Sequence, residues 1–243
     1  MKKFKIDFFH YSSSSILLSW PNIISIEISN DIHNFIKHIR NEKNILEIIK
    51  GYSSVLVQYR NDIADFDLSC DSLNKTYNES LKQNSEKKII WEIPVCYESD
   101  FAKDIKVYSE KVLLSREQVI NLHTSNIYYL HMYGFIPGFM YLGGLNKKLS
   151  ITRKKIPDRK ILKGSVAIGG GQTGVYPADS PGGWYVIGNT PINLFNLNNN
   201  SSPVNIPVGD YVQFKSISSV EYYDIKKKVE KDKYQFVKKY NHD

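Results

Sequence analysis

At 243 residues, with 42% apolar and 23% charged side chains, the chain has room for one large or two small domains and is too apolar to be disordered. No apolar run approaches the roughly 18 residues that cross a bilayer, and the Lys-rich start at Met1 is interrupted by Asp7 and His10 before a signal core forms, so a cytoplasmic, non-membrane protein is expected. The net charge of +7 does not argue for nucleic acid: residues 226–239 alone carry seven lysines against Glu230 and Asp232, which reads as a solvated helix or fraying end without any nucleic-acid motif.

Residues 4–9 read as an edge strand, and residues 14–20 as a second, built on Ile16-Leu17-Leu18. Ile32, Phe35, Ile36 and Ile39 recur at helical spacing, with Asn30 or Asp31 as N-cap. Residues 45–49 and 55–59 predict two strands joined by a turn at Gly51-Tyr52-Ser53. Phe66, Leu73, Tyr77 and Leu81 predict a second helix, and residues 89–95 a further strand. Strand, helix, strand, strand, helix, strand is the order of a ferredoxin-like βαββαβ domain, placed over residues 1–95 of an α+β protein. Cys70 and Cys96 are far apart and form no metal pattern with the histidines, so reduced thiols and no metal site are expected.

Ser115 and Gln118 form a capping box that opens a connector helix bearing Val119, Ile120, Leu122 and His123. Short apolar runs then alternate with Gly/Pro turns at residues 127–132, 166–168, 184–187, 192–195 and 211–214. That pattern predicts a compact β-barrel over residues 96–220, the connector helix included. Residues 196–202 read as an exposed loop, and residues 221–243 as a Lys-rich tail.

Most of the 14 glycines fall between His123 and Pro191, interleaved with aromatic and amide side chains. Such density calls for tight turns, bulges, or backbone brought close to a ligand. His123 either exchanges protons near neutral pH or caps its helix C-terminus. Gly169-Gly170-Gly171-Gln172-Thr173-Gly174 lacks the P-loop lysine and the Gly-x-Gly-x-x-Gly spacing. It leaves either a nest of N–H groups beside Gln172 and Thr173 for an oxyanion, or a bend that serves only the barrel. Trp184, after Ser180-Pro181-Gly182-Gly183, is either a cavity wall or core. Arg153 and Lys154 lie in a basic spacer, residues 147–163, that either binds a carboxylate or phosphate or is a mobile solvated loop. Tyr141 and Tyr176 are amphipathic candidates of the same kind.

Taken in order, His123, Gly134-Phe135-Ile136-Pro137-Gly138-Phe139-Met140-Tyr141-Leu142-Gly143-Gly144-Leu145, Arg153, Gly164-Ser165-Val166, Gln172-Thr173-Gly174-Val175-Tyr176-Pro177, Ser180-Pro181-Gly182-Gly183-Trp184 and Gly188-Asn189-Thr190-Pro191 resemble the signature of the 5-oxoprolinase B-subunit family, also called the kinase-A-inhibitor or allophanate hydrolase subunit 1 family. The resemblance implies a cyclophilin-like barrel and a subunit inactive alone. That subunit would work in a hetero-oligomer with 5-oxoprolinase subunits C and A, cleaving a small cyclic amide, 5-oxoproline, to glutamate. ATP with Mg, held at an interface with a partner, would phosphorylate the lactam oxygen. The same resemblance allows an inhibitory module for a sensor histidine kinase, or half of a carboxyltransferase or allophanate-related enzyme.

By match to the family blocks, His123, Gln172 and Tyr176 are the expected catalytic residues. Tyr141, Arg153, Gly170, Gly171, Thr173, Ser180, Gly182, Gly183 and Trp184 are the expected substrate- or nucleotide-binding residues, with Gly138 shaping a wall. The chain departs from the pattern in the spacer. Thr152 stands where a proline precedes the arginine, Leu162-Lys163 replaces Pro-Ala, and Pro157-Asp158 replaces Pro-Arg, reversing a charge.

Overall fold

In the first unit, Met1–Glu86, apolar residues alternate along two adjacent strands and recur at helical spacing in the helix that follows. The elements are β1 (Asp7–Ser12), β2 (Ser15–Ser19), α1 (Ile26–Ile39), β3 (Ile45–Lys50), β4 (Ser54–Tyr59) and α2 (Phe66–Ser80). The strands form one antiparallel sheet in the order β1-β2-β4-β3. Ile16 and Leu18 of β2 and Val55 and Val57 of β4 pack with Ile32, Phe35, Ile39, Leu73 and Tyr77 of the helices into one core. The computed structural model describes residues 3–81, 89–196 and 204–240 of the chain, so the predicted loop lies outside the described residues beyond Asn196.

The N-cap of α1 is Ser25, whose hydroxyl accepts from the Ile28 N–H, and not Asn30 or Asp31. Asp31 sits inside the helix and is buried. Its carboxylate accepts from the Trp20 indole at 2.7 Å and from the Tyr77 hydroxyl at 2.9 Å, which is why an acidic residue stands on the apolar face.

The second unit, Lys87–Asp243, holds β5 (Ile89–Cys96), α3 (Ile105–Val112), α4 (Arg116–Thr124), β6 (Ile127–Tyr133), β7 (Met140–Gly143), β8 (Asp158–Ile161), β9 (Ser165–Gly169), β10 (Gln172–Val175), β11 (Ser180–Gly182), β12 (Tyr185–Asn189), β13 (Tyr211–Ile217), α5 (Ser219–Glu230) and β14 (Lys238–Tyr240). Strands run in the order β12-β9-β10-β7-β6-β13-β5, and a pairing of β12 with β5 at Asn189 and Cys96 closes the ring into a barrel. β8 and β11 form a separate two-stranded ribbon.

The α+β class, with a small N-terminal sheet and a closed barrel, is as the sequence predicts. The strand at residues 89–95 is the exception, because it belongs to the barrel as β5. It pairs in parallel with β13 along its whole useful length, while its other edge is shared between β14 at Ile89–Trp91 and β12 at Cys96. Trp91, Ile93 and Val95 fill the barrel interior, and residues on the opposite face are also largely covered, so this strand needs partners on every side. The fourth strand of the small sheet is β1 instead, the predicted edge strand.

The capping box of α4 forms as expected, with Ser115 and Gln118 satisfying each other's backbone donors. The Lys-rich tail becomes α5, with its own capping box at Ser218 and Glu221, followed by β14. The run at residues 192–195 is not a strand. Ile192 and Leu194 turn into the core from a loop that follows Pro191, and only Phe195 forms a bridge, to Val204. Among the described residues no helix is long and apolar enough to cross a membrane, and no cluster of His, Cys, Asp and Glu could hold a metal ion.

Candidate functional site

Strand parity decides which signature residues meet. In the register of β10, Thr173 stands opposite Leu142 and Ile168, whereas Gly174 stands opposite Tyr141 and Ala167. Leu142 and Ile168 point into the barrel core, so Thr173 and Val175 do the same, and Tyr141, Gly174 and Ala167 face outward. On that outward face the glycine and alanine leave a shallow floor. A Cβ at Gly174 would lie 2.8 Å from the Phe139 ring, so only glycine lets that ring settle against the barrel.

Phe139, 1% exposed, packs there with Ile161, Ala167, Tyr176, Trp184 and Val186 in a cluster separate from the barrel core. Four rings surround Phe139 edge-on: Tyr141 and Tyr176 at 4.9 Å between centroids, Trp184 at 5.5 Å and Phe135 at 5.6 Å. They enclose a cavity of about 180 Å³ completed by Arg153, Lys154, Pro157, Gly182 and Gly183. The signature stretch from Gly134 turns twice to deliver two of these rings. Phe135 adopts the left-handed conformation (φ 62°), and Gly138 follows at φ 85°. Phe135 thereby stands at the cavity mouth, 58% exposed.

The spacer that carries the cations is tied down and is not a mobile loop at this point. The Ile151 N–H donates to Gly170 O at 3.1 Å, and the Lys154 N–H to Gly183 O at 2.8 Å. Lys154 donates to Asp104 at 2.7 Å and to Asp158 at 2.6 Å, and Lys103 reaches Asp158 at 2.9 Å. Asp104 also accepts the Val186 N–H at 2.8 Å, which locks this pair to β12. The reversed charge at Asp158 therefore has two lysines as its local counterpart. Burial by itself would raise the Asp158 pKa, but the two ammonium groups outweigh it and hold the carboxyl below its usual range. Arg153 differs from its neighbour. It lies over the Trp184 ring at 5.6 Å and forms no ion pair or hydrogen bond with the described residues.

The cavity also sets the state of Tyr176. Burial pushes its hydroxyl up to about 12, so it is protonated at neutral pH. Its own proton meets no acceptor among the described residues, which leaves a donor for a ligand oxygen.

Residues 6–205 match the carboxyltransferase domain family, subdomains C and D. The B-subunit of 5-oxoprolinase from Bacillus subtilis (strain 168) is 34% identical over 227 residues, which cover 88% of this chain and 93% of that protein. The corresponding 5-oxoprolinase B-subunit of Haemophilus influenzae is 34% identical over 203 residues, covering 84% and 94%. The chain belongs to the 5-oxoprolinase B-subunit family. Among solved structures, a conserved uncharacterized protein of Pyrococcus horikoshii is 33% identical and aligns over 89% of this chain and 100% of that one, with a TM-score of 0.53. The urea amidolyase of Kluyveromyces lactis, at 19% identity, shares the fold alone: 98% of this chain aligns to 16% of that much longer one, with a TM-score of 0.77.

Of the residues singled out by resemblance to the family signature, Tyr141, Arg153, Tyr176, Gly182, Gly183 and Trp184 line the one cavity. His123 does not, and its expected part in proton transfer to substrate is corrected by its surroundings. It is fully buried between Tyr97, Tyr128 and Phe214, and burial drives its pKa down to about 3. Nor does it cap its helix by side chain, because both ring nitrogens are engaged elsewhere: Nδ1 with the Tyr97 hydroxyl at 2.7 Å and Nε2 with Thr173 Oγ1 at 3.0 Å. Thr173 donates onward to Ala167 O at 3.2 Å, so it too is a core residue and not a ligand contact.

The glycine run is a two-residue hairpin turn between β9 and β10, not a free anion nest. Gly170, at φ 66°, occupies the first central position, and its N–H donates to Ile151 O at 2.7 Å. Gly171 follows it in the turn. Gln172 opens β10 half-buried and outside the cavity lining, and Ser180 opens β11 opposite Ile161, also outside it. Gly138 seats against Phe195. A larger cavity of about 400 Å³ lies between α5 and residues 190–193, but it holds none of the predicted site residues. Phe135 and Phe139, missed as site residues, were present as the aromatic positions of the Gly-Phe-Ile-Pro-Gly-Phe block. Their alternation with turn glycines was the available signal.

Proposed function

We propose that this chain is the subunit of a 5-oxoprolinase that holds the small cyclic amide, working in a hetero-oligomer with partner subunits in an ATP-dependent reaction that yields glutamate. The observation that carries the reading is the convergence on one cavity of residues from four separate signature blocks: Tyr141, Arg153, Tyr176 and Gly182 with Gly183 and Trp184. Five rings supply flat apolar walls for a five-membered lactam and exclude water from it, and Tyr176 supplies a protonated hydroxyl for its carbonyl oxygen.

The same cavity does not fit a triphosphate nucleotide. At about 180 Å³ it falls below the roughly 300 Å³ at which drug-sized sites begin. One of its two cations is already neutralised by Asp104 and Asp158, and the Gly170 N–H is taken. No step through the nucleotide is assigned to these residues. The test is ATP-dependent glutamate release from 5-oxoproline by co-purified subunits, with and without this chain. Activity lost on omission supports the reading, whereas a well-assembled complex that releases no glutamate overturns it.

A further inference from the structure

We infer, resting on the function proposed for this cavity, that Arg153 determines specificity by pairing with a carboxylate carried on the lactam ring, while Tyr176 donates to the ring carbonyl. Two adjacent cations reach this cavity, and only one is engaged. Lys154 is held between Asp104 and Asp158, while Arg153 has no ion pair or hydrogen bond among the described residues. A guanidinium resting on an indole face at 5.6 Å is oriented by that contact, with its N–H edges left for a planar bidentate acceptor.

The sign of the ligand follows from the same lining. A box of aromatic rings alone suits a cation, but the unpaired Arg153 guanidinium at this one, with no carboxylate in the lining and Lys154 already balanced by Asp104 and Asp158, reverses that preference. Size limits the ligand further. At about 30 Å³ per water, the cavity holds the equivalent of about six waters, which is the scale of a single small ring with one substituent. Phe135 supplies the remaining wall. It is kept in a backbone conformation that bulky residues avoid, and its ring touches Phe139 at 5.6 Å and Tyr176 at 6.4 Å across the mouth.

Titration calorimetry on the assembled complex tests this with two probes: 5-oxoproline, and 2-pyrrolidinone, the same lactam without the carboxylate. Arg153 is exposed, so Arg153→Ala and Arg153→Lys are expected to fold. In Arg153→Ala, 5-oxoproline should bind about 10- to 100-fold more weakly. 2-Pyrrolidinone should bind the wild type about as weakly and not respond to the substitution, and Arg153→Lys should recover only part of the loss. Equal losses for both probes, unchanged 5-oxoproline binding in Arg153→Ala, or no binding of 5-oxoproline to the wild-type assembly would each overturn the inference. An assembly that binds 5-oxoproline through Arg153 yet releases no glutamate would uphold it while sinking the proposed function. An assembly that turns over 5-oxoproline equally well with Arg153→Ala would do the reverse.

Discussion

The imidazole of His123 lies flat against the ring of Phe214, with 4.5 Å between centroids and 21° between planes. Around that stack a chain of hydrogen bonds has one direction. Because Thr173 donates to Ala167 O, it accepts from His123 Nε2–H, which leaves Nδ1 to accept from the Tyr97 hydroxyl. A neutral imidazole satisfies every partner, and a charged one would force Tyr97 to give up its donation. His123→Ala should therefore cost about 3 kcal/mol, read by urea denaturation, with activity per folded molecule nearly unchanged. The pH dependence has a definite sign. Unfolded His123 binds a proton below about 6.5 and the folded form only near 3, so stability falls as pH drops from 6.5 towards 3. This group contributes a slope of at most about 1.4 kcal/mol per pH unit, and His123→Gln should remove it. A histidine that titrates near 6.5 in the folded protein would refute this account.

Neighbouring glycines at the cavity should respond unequally to the same substitution. A Cβ on Gly182 would run into the Tyr176 hydroxyl and come within 2.8 Å of Ile161, whereas one on Gly183 would meet nothing nearer than 3.6 Å. Gly182→Ala is expected to lower stability by about 1–3 kcal/mol and to disturb ligand binding through Tyr176. Gly183→Ala should melt within about 0.5 kcal/mol of wild type. Thermal melts of the pair, with matched effects, would count against the assigned packing.

Within the charge cluster, the penalty should follow burial. Asp104 is 16% exposed at its side chain and serves both Lys154 and the Val186 N–H, whereas Lys103 is 46% exposed and serves only Asp158. Asp104→Ala should cost about 2 kcal/mol and Lys103→Met less than about 0.5 kcal/mol. Asp158, held below its ordinary pKa, contributes stability that is present above about pH 4 and disappears on further acidification; Asp158→Asn should flatten that part of the acid profile. An Asp104→Ala protein as stable as Lys103→Met would show that the cluster is only a surface network.

The order of elements was legible in the sequence because each carries its own signal. The capping box at Ser115 and Gln118, the spacing of Phe35 and Ile39, and the Gly-rich turns all reappear in the fold. Partner choice was not legible. Residues 89–95 read as a strand in any sheet, and only the tertiary fold shows that both their edges and both their faces are taken by the barrel. The site was half legible for the same reason. Motif matching could not separate Thr173 from Gly174, one residue apart, yet strand parity sends the first into the core and the second under the aromatic floor. For His123, the sequence offers proton exchange or a helix cap, and the third reading, a buried node, depends on the rings of Tyr97 and Phe214, which are distant in the chain.

Phe135 offers a test of stored backbone strain. A bulky residue at φ 62° costs about 1–2 kcal/mol, and asparagine tolerates that region. Phe135→Asn should leave stability equal or higher, because the ring is 58% exposed, while lowering kcat/KM of the assembled enzyme. A variant that loses stability without losing activity would show the ring to be structural.

The central claim is that the aromatic cavity of this chain holds the lactam. The most direct measurement is kcat/KM for glutamate release from 5-oxoproline by the reconstituted, ATP-supplied assembly carrying Trp184→Leu, with folding and assembly checked by melting and gel filtration. Trp184 walls the cavity and seats Arg153, so the account predicts a fall of about 100-fold in a folded, assembled protein. Wild-type kcat/KM in such an assembly would contradict it.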